Sequence, residues 1–209
     1  MNRLVVATTN PGKTFEIQAA LAGHGEWSVE TLPAGLPDIE ETGATFLENA
    51  ILKAVHYSRL VDALTVADDS GLSVNALSGR PGVHSARYGP TAEARNRRLL
   101  TELADAGTSD RSARFFCALA VARTGNVLWT VETHLDGYIA ERPVGENGFG
   151  YDPVFTIPSL GKTMAELDTP AKNQISARGQ ALAKLVGYLS AGGEIPGGNS
   201  GTGGVIRGQ

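Results

Sequence analysis

Short apolar runs alternate with amphipathic segments through the first third of the chain. One predicted helix begins at Asn10-Pro11, which suit its cap and first position, and runs toward Gly23. A second opens on a capping box formed by Thr45 and Glu48 and reaches about residue 60. The remaining pattern predicts strands at residues 4–7, 27–32 and 64–67. This alternation of strands and helices predicts right-handed crossovers and a largely parallel sheet.

The second half of the chain has a different pattern. Residues 114–123 and 127–139 form two long strand-like runs, and Thr124-Gly125-Asn126 between them is typical of a hairpin. A last helix is expected from a Thr169-Pro170 cap to about residue 189. Together the two halves predict an α/β fold: a mixed parallel/antiparallel sheet flanked by helices. We expect one domain over residues 1–190, followed by a glycine-rich flexible tail over 191–209.

Composition limits the functional classes. The chain has 209 residues, 42% of them hydrophobic, which is enough for one globular core. A net charge of -4 argues against nucleic-acid binding, which needs a basic face, and Arg95, Arg97 and Arg98 are interpreted as a solvated helix face. Cys117 is the only cysteine and is expected to pack in a buried strand. With no apolar run near the ~18 residues of a membrane span, we expect a soluble, cytoplasmic protein without membrane contact.

The first chemical motif is ATTNPGKT, residues 7–14. It is one substitution away from the phosphate loop G-x-x-x-x-G-K-(S/T), because Ala7 stands where the first glycine belongs. Pro11 also removes one of the backbone donors that such a loop uses, so a true phosphate loop is disfavoured. A strand-to-helix junction bearing Lys13 still favours anions. The alternative is an ordinary helix cap with a surface lysine.

The second motif contains paired carboxylates. Asp68 and Asp69 follow a predicted buried strand, and ligands bind at the carboxyl ends of such strands. Adjacent side chains in extended backbone point opposite ways, so one can face a metal while the other orients the loop. Glu40 and Glu41 add carboxylates in a loop, and oxygen ligands suit magnesium. Lys53 is either a second phosphate contact or a solvated lysine. The alternative for the aspartate pair is an Asp-Ser-Gly turn.

The third motif, residues 148–153, sets two aromatic residues among glycines and ends in Asp-Pro. Such a loop can present a ring on which a nucleotide base stacks, together with a carboxylate that accepts from a ring N–H. The alternative is a tight turn with its aromatic side chains in the core. Downstream, Lys172, Ser176 and Arg178 lie near the start of the last predicted helix, where Lys172 and Ser176 share a face.

In combination these motifs resemble the inosine triphosphate pyrophosphatase family, also called dITP/XTP pyrophosphatases. The resemblance covers residues 2 to about 190. It implies an elongated fold with two lobes and a central cleft, a homodimer, and magnesium-dependent (Mg2+) hydrolysis of ITP, dITP and XTP to the monophosphate and pyrophosphate. The motifs that carry it are Thr8-x-Asn10-x-x-Lys13, Glu40-Glu41-Thr42-Gly43, Phe46-x-x-Asn49-Ala50-x-x-Lys53-Ala54, Ala67-Asp68-Asp69-Ser70-Gly71-Leu72, Pro81-Gly82-Val83-x-Ser85-Ala86-Arg87-Tyr88 and Gly148-Phe149-Gly150-Tyr151-Asp152-Pro153.

The resemblance also implies residue roles. Asp69 is the expected catalytic base, and Glu41 and Asp69 the magnesium ligands, with Glu40 and Asp68 as neighbouring alternatives. Phe149 is expected to stack on the purine, and Ser70 to touch substrate near the phosphates or sugar. Asp152, Lys172 and Arg178 are expected to read the edge of the base. The expected triphosphate contacts are Thr8, Thr9, Asn10, Pro11, Gly12, Lys13 and Lys53, and the remaining substrate contacts are Gly150, Tyr151, Ser176 and Ala177.

One departure from the family pattern concerns Ala177, which stands where the family usually has histidine between a serine and an arginine. We therefore expect weaker selectivity for the base and unchanged phosphate chemistry. Two other functions fit parts of the sequence. A P-loop-like ATPase or GTPase would release orthophosphate, and a non-enzymatic nucleotide-binding protein would not need the acidic cluster.

Overall fold

The computed structural model describes residues 2–24 and 27–192. Part of the predicted tail, residues 193–209, lies outside the described residues. Short 3₁₀ helices occur at Asn75–Leu77, Gly82–Arg87, Asp152–Val154 and Met164–Glu166. The longer elements are β1 (Asn2–Val6), α1 (Pro11–Leu21), β2 (Trp27–Thr31), α2 (Phe46–Leu60), β3 (Leu64–Val74), α3 (Ala92–Asp105), β4 (Ser112–Arg123), β5 (Asn126–Ile139), β6 (Phe155–Ile157), β7 (Lys162–Thr163), α4 (Thr169–Ile175) and α5 (Ala177–Ser190).

The strands form a mixed seven-stranded sheet in the order β2-β1-β3-β4-β5-β6-β7. β1 pairs in parallel with both β2 and β3. All later pairings, from β3 with β4 to β6 with β7, are antiparallel. The predicted α/β class and the change from parallel to antiparallel pairing are confirmed.

An open edge of β3 positions the site. The pairing of β1 with β3 ends at Val6 opposite Val66, whereas β3 continues beside β4 as far as Val74. Further along the same edge, the 3₁₀ helix Gly82–Arg87 covers β3, where the Ser85 hydroxyl accepts from the Leu72 amide at 2.9 Å. The stretch of β3 between these two neighbours faces a cleft.

The predicted end of the third strand at residue 67 was wrong. Asp68 and Asp69 lie within β3 and pair with Leu119 and Ala118 of β4. A ladder with β4 along the whole of β3 outweighs the turn preference of Asp-Ser-Gly, because every residue of the segment gains an inter-strand partner.

Apolar side chains cover both faces of the sheet. On one face α1 and α5 pack against β1, β3 and β4 through residues such as Leu4, Val66 and Leu185. On the other face, α2 packs against small alanine side chains of the sheet, which include Ala67 and Ala118. A third cluster joins the end of β3 to α3, β5 and β6. The alternation of side chains along β3 therefore sends neighbouring residues to opposite faces.

The single last helix expected from residue 169 to 189 was also wrong. α4 ends at Ile175 and α5 begins at Ala177, with Ser176 in extended conformation between them (φ -62°, ψ 152°). The Asp168 carboxylate caps α4 by accepting from the Ala171 amide, and the Ser176 hydroxyl caps α5 by accepting from the Gly179 amide. The two caps satisfy amides that a continuous helix would have bonded internally.

Candidate active site

The loop after β1 holds a helix start rather than a phosphate loop. Asn10 caps α1, and its Oδ1 accepts from the amides of Gly12 at 2.9 Å and Lys13 at 3.4 Å. Pro11 occupies the first helical position. Two amides that a phosphate loop would turn toward its ligand are thus engaged by the cap. The positive end of the α1 dipole still favours an anion here, and the Lys13 ammonium lines the cleft, paired with Asp68.

Asp68 points to the face of the sheet that carries α1 and α5, where every partner is a donor. Its Oδ2 accepts from Arg178 Nε at 2.8 Å and from Cys117 Sγ at 3.3 Å. Its Oδ1 is paired with Lys13 and accepts from Ser70 Oγ at 3.0 Å. Burial by itself would raise the pKa of Asp68, but Arg178 and Lys13 hold it well below the ordinary value. Asp68 is therefore a buried anion that anchors two cations.

Asp69 points to the opposite face, toward α2. Its Oδ1 accepts from Lys53 Nζ at 2.9 Å, and the same ammonium donates to Glu41 Oε1 at 2.8 Å. Asp69 Oδ2 is buried without a hydrogen-bond partner among the described residues. Burial raises the pKa of Asp69 above its usual value, against the opposing effects of Lys53 and Lys13. The two faces of β3 thus carry carboxylates whose pKa values shift in opposite directions, lowered for Asp68 and raised for Asp69.

The residues around Asp69 fit a magnesium ion. Within the described residues no group of three or more histidine, cysteine or carboxylate side chains could hold a metal. Magnesium needs only one or two carboxylates, since water and substrate phosphate complete its octahedron. The unpartnered Oδ2 of Asp69 and the nearby Glu41 provide such a pair. Glu40 is exposed and does not line the cleft.

The aromatic loop lies beside the start of α1. A Cβ on Gly12 would meet the Phe149 ring at 3.2 Å, so the ring and the helix start are neighbours. Lys172 Nζ lies 4.5 Å from the ring centroid, and Arg178 Cζ 5.4 Å. The loop bends through Gly148, where φ is +77° and a Cβ would lie 2.0 Å from the Asp152 carboxylate. Only glycine fits there.

Asp152 holds this loop in place. Its Oδ2 accepts from the Phe149 amide and from Lys172 Nζ, each at 2.8 Å. Burial raises the pKa of Asp152 above its usual value although Lys172 opposes it. The Tyr151 hydroxyl donates to the Ser85 carbonyl at 2.9 Å, so the aromatic loop is tied to the 3₁₀ helix Gly82–Arg87. The Tyr151 ring is buried, and its hydroxyl already has a partner.

These groups surround one cleft of about 340 Å³, a size typical of small-molecule sites. Of the predicted site residues, Pro11, Gly12, Glu40 and Asp68 do not line it. The structure brings the others together around it: Thr8, Thr9, Asn10, Lys13, Glu41, Lys53, Asp69, Ser70, Phe149, Gly150, Tyr151, Asp152, Lys172, Ser176, Ala177 and Arg178. The cleft therefore places an aromatic platform, a helix start and a carboxylate–lysine group within reach of one ligand.

Comparison with known proteins agrees with this arrangement. The model of the Ham1 family matches residues 4–188. This chain belongs to the Ham1 family. Its Ham1 relatives include the dITP/XTP pyrophosphatase of Geobacillus kaustophilus, 53% identical over 189 residues that cover 88% of this chain and 93% of the relative. That of Bacillus subtilis is 47% identical over 196 residues, covering 91% and 98%. The predicted resemblance is confirmed.

Solved Ham1 structures have the same fold. A HAM1 protein from Coxiella burnetii superposes with a TM-score of 0.84 at 43% identity, covering 91% of this chain and all of that one. A structure from Mycobacterium abscessus, described as a nucleoside-triphosphatase / dITP/XTP pyrophosphatase, gives 0.70 at 38% identity and covers 90% and 99%. Within the described ranges, every helix of this Ham1 chain is too short or too polar to cross a membrane.

Sequence reasoning missed several charged residues of this Ham1 site; Asp38 and Arg95 line the cleft, and Glu16 and Arg87 are the two with ionic partners in it. Glu16 is buried below the cleft, accepts from Arg178 Nη1 at 2.6 Å and lies 3.4 Å from Lys172 Nζ. Its signal was a glutamate on the face of α1 that also carries Ile17. Arg87 lines the cleft 3.5 Å from Glu41. Arg87 lies in the family motif of residues 81–88, for which the sequence predicted no chemical role.

Ala177 lies at the first position of α5, 3% exposed and against the cleft. Its carbonyl accepts from Thr133 Oγ1 at 2.7 Å, which fixes the backbone at this point. The Ser176 hydroxyl is engaged in capping α5. At this junction the backbone is therefore well held, while the methyl side chain of Ala177 has no atom that could hydrogen-bond to a base.

Proposed function

We propose that this Ham1 chain hydrolyses the deaminated purine nucleoside triphosphates ITP, dITP and XTP to the monophosphate and pyrophosphate, with magnesium as cofactor. The observation that carries the proposal is a cleft in which the Phe149 ring adjoins the start of α1 and Asp69 presents an oxygen that has no hydrogen-bond partner among the described residues. The relatives named dITP/XTP pyrophosphatase, about half identical over most of the chain, support the substrate class.

The base is expected at the Phe149 end. Stacking on such a ring contributes about 1–3 kcal/mol and favours no particular base. Selection comes from Lys172 and Arg178, two donors that lie over the Phe149 ring and suit the 6-oxo acceptor of hypoxanthine and xanthine. The 6-amino group of adenine would leave a buried donor unpaired, at a cost of about 1–3 kcal/mol.

The phosphates are expected along the open edge of β3, between Lys13 and Lys53. Magnesium held by Glu41 and Asp69 would supply positive charge to the phosphate oxygens when bound. Asp69 orients a water molecule toward the α-phosphorus and accepts its proton. The water oxygen bonds to the α-phosphorus while the bond to the bridging oxygen breaks, and pyrophosphate leaves. Lys53 holds both carboxylates in place.

The products of ITP turnover test this reaction. We expect pyrophosphate and IMP in equal amounts, and no turnover when EDTA removes the metal. Release of orthophosphate instead would contradict the proposal in favour of the P-loop-like ATPase or GTPase. Nucleotide binding without any turnover would favour the non-enzymatic alternative.

Base selectivity is tested by comparing kcat/KM for ITP, XTP, GTP and ATP. We expect ATP to be the poorest substrate. Because Ala177 offers only a methyl group, discrimination against the 2-amino group of GTP should be weak, and Ala177→His should strengthen it. A variant no more selective than the wild-type chain would mean that another side chain performs this discrimination.

The homodimer and the cytoplasmic location belong to this proposal. The dimer is implied by the family resemblance, and the location by the composition. Light scattering of the purified chain should give twice the monomer mass of 21.8 kDa. A monomer mass at working concentrations would remove the dimer from the proposal and leave the chemistry intact.

A further inference from the structure

The buried cations of the cleft are already matched by carboxylates. Four cationic side chains, each at most 13% exposed, contact five carboxylates, so the buried set has no positive charge to spare. The cations are Lys13, Lys53, Lys172 and Arg178, and the carboxylates Glu16, Glu41, Asp68, Asp69 and Asp152. A triphosphate brings several further negative charges, and one divalent cation cannot balance them all. The cleft needs another positive group.

Two arginines at the rim are the candidates. Arg95 donates through Nη1 to the carbonyls of Ala86 and Gly89, so its guanidinium is engaged with backbone. Arg87 is 54% exposed, and among the described residues its one ionic partner is Glu41, at a loose 3.5 Å. Arg87 therefore has the donors that are free to reorient.

The backbone beneath Arg87 is firmly held. Ser85 Oγ accepts from the Leu72 amide and donates to the Gly82 carbonyl at 2.6 Å. Gly71 permits this contact, since a Cβ there would lie 2.3 Å from Ser85 Oγ. The Tyr151 hydroxyl secures the Ser85 carbonyl from the other side. The flexible Arg87 guanidinium is thus attached to a fixed backbone, beside Glu41, Lys53 and the carboxylate oxygens proposed to bind metal.

We propose that Arg87 binds the two outer phosphates of the substrate and stays with the pyrophosphate that leaves; this rests on the proposed function. Its partner Glu41 belongs to the Lys53 and Asp69 group, whereas the purine platform Phe149 adjoins the start of α1. When Arg87 turns to phosphate, it also frees a Glu41 oxygen for the cation. A guanidinium offers paired donors that match the oxygens of a diphosphate.

Calorimetric binding of magnesium pyrophosphate tests this without any turnover. Arg87→Ala should weaken binding by about tenfold or more, as expected for a lost charge-assisted contact. Arg87→Lys should recover part of it. Inhibition by IMP, which lacks the outer phosphates, should not change. Arg3→Ala is the matched control: Arg3 is 53% exposed and paired with Glu30 at 2.9 Å, away from the cleft.

The outcomes separate this inference from the proposed function. If Arg87→Ala binds pyrophosphate as tightly as the wild-type and Arg3→Ala proteins, the role of Arg87 is wrong, even where the wild-type chain releases pyrophosphate from ITP. An equal loss of IMP and pyrophosphate binding would also overturn it, because it would indicate a general change of the cleft. Orthophosphate release by the wild-type chain would overturn the proposed function, whatever Arg87 binds.

Discussion

At the scale of single residues, Asp68 and Asp69 are adjacent in sequence but have opposite tasks. Because the strand is pleated, Asp68 points to one face, where it contacts four donors, and Asp69 points to the other, where Lys53 donates to Oδ1. Asp69 Oδ2 has no hydrogen-bond partner among the described residues. Both carboxylates are buried, yet the pKa of Asp68 is strongly lowered by its cationic partners whereas that of Asp69 is raised. Asp68 anchors two cations, whereas Asp69 keeps one oxygen with no hydrogen-bond partner in the part of the chain that the structure describes, as its proposed catalytic role requires.

Conservative replacement should separate these tasks. Asp69→Asn should reduce kcat by about 10²- to 10⁴-fold, because a general base is lost, and leave the free energy of unfolding near or above the wild-type value. Asp68→Asn should lower the unfolding free energy by about 3–5 kcal/mol, since Arg178 and Lys13 lose their buried partner. Urea titrations and ITP kinetics on both variants measure this. If a folded Asp69→Asn protein turned over ITP at the wild-type rate, Asp69 would not be the general base.

The stability that Asp68 provides also has a defined pH dependence. Its folded pKa is depressed, so its contribution is fully present above the ordinary aspartate value of 3.8 and is lost as the pH falls further. The difference in unfolding free energy between wild type and Asp68→Asn should therefore shrink below about pH 4. Urea titrations at neutral and acidic pH measure it. A difference that stays constant or grows would contradict the ionised state of Asp68.

The sequence predicted half of the residues that line the cleft, through short motifs and the family resemblance that they carry. It did not reveal Glu16 or Arg87. A glutamate on a helix and an arginine at the end of a short 3₁₀ helix are normally solvated. Glu16 gains its partner Arg178 because α5 packs against α1, and Arg87 gains Glu41 from the loop before α2. Both contacts depend on tertiary packing between segments far apart in the chain.

At the scale of elements, both wrong boundaries lie at the cleft. β3 runs through a local turn signal because β4 pairs with it, and the last helix breaks at Ser176 because two caps compete successfully with continuation. A Cβ on Gly179 would lie 1.7 Å from the Asn173 carbonyl oxygen, so this break depends on a glycine. Local propensity located both elements but could not set the end of β3, since its partner β4 is distant in sequence. The break at Ser176, in contrast, depends on caps that act over three residues, and the predicted single helix overlooked them.

Gly71→Ala tests the docking of the 3₁₀ helix on β3. The added Cβ would meet Ser85 Oγ at 2.3 Å and the Phe46 ring at 2.8 Å, so residues 82–87 must move. We expect about 1–3 kcal/mol of destabilisation. We also expect a raised KM for ITP, because the Arg87 side chain moves when the backbone of residues 82–87 moves. Gly187→Ala is the control, since its Cβ meets nothing within 4 Å in α5. Unchanged stability and KM for Gly71→Ala would contradict this docking.

At the scale of the whole molecule, one sheet connects all parts of the cleft. The clusters on its two faces and at its far end share β3 and β4, and the aromatic loop is bonded to the 3₁₀ helix on β3. The groups proposed to bind phosphate and those proposed to bind the purine consequently belong to one packed unit. The cleft exists because parallel pairing stops at Val6 while antiparallel pairing continues, which leaves an edge of β3 uncovered between two fixed neighbours.

Such a unit should unfold in a single transition, and a ligand should stabilise all of it. Far-UV circular dichroism reports every helix, whereas Trp27 and Trp129 report the cluster beside α1 and α5. We expect coincident melting curves by the two probes. Magnesium with an ITP analogue whose α–β bridge is an imido group should shift both curves upward together, by about 2.7 kcal/mol at a ligand concentration 100 times Kd. Two separate transitions, or a ligand shift in only one signal, would mean that the base-binding and phosphate-binding parts fold independently.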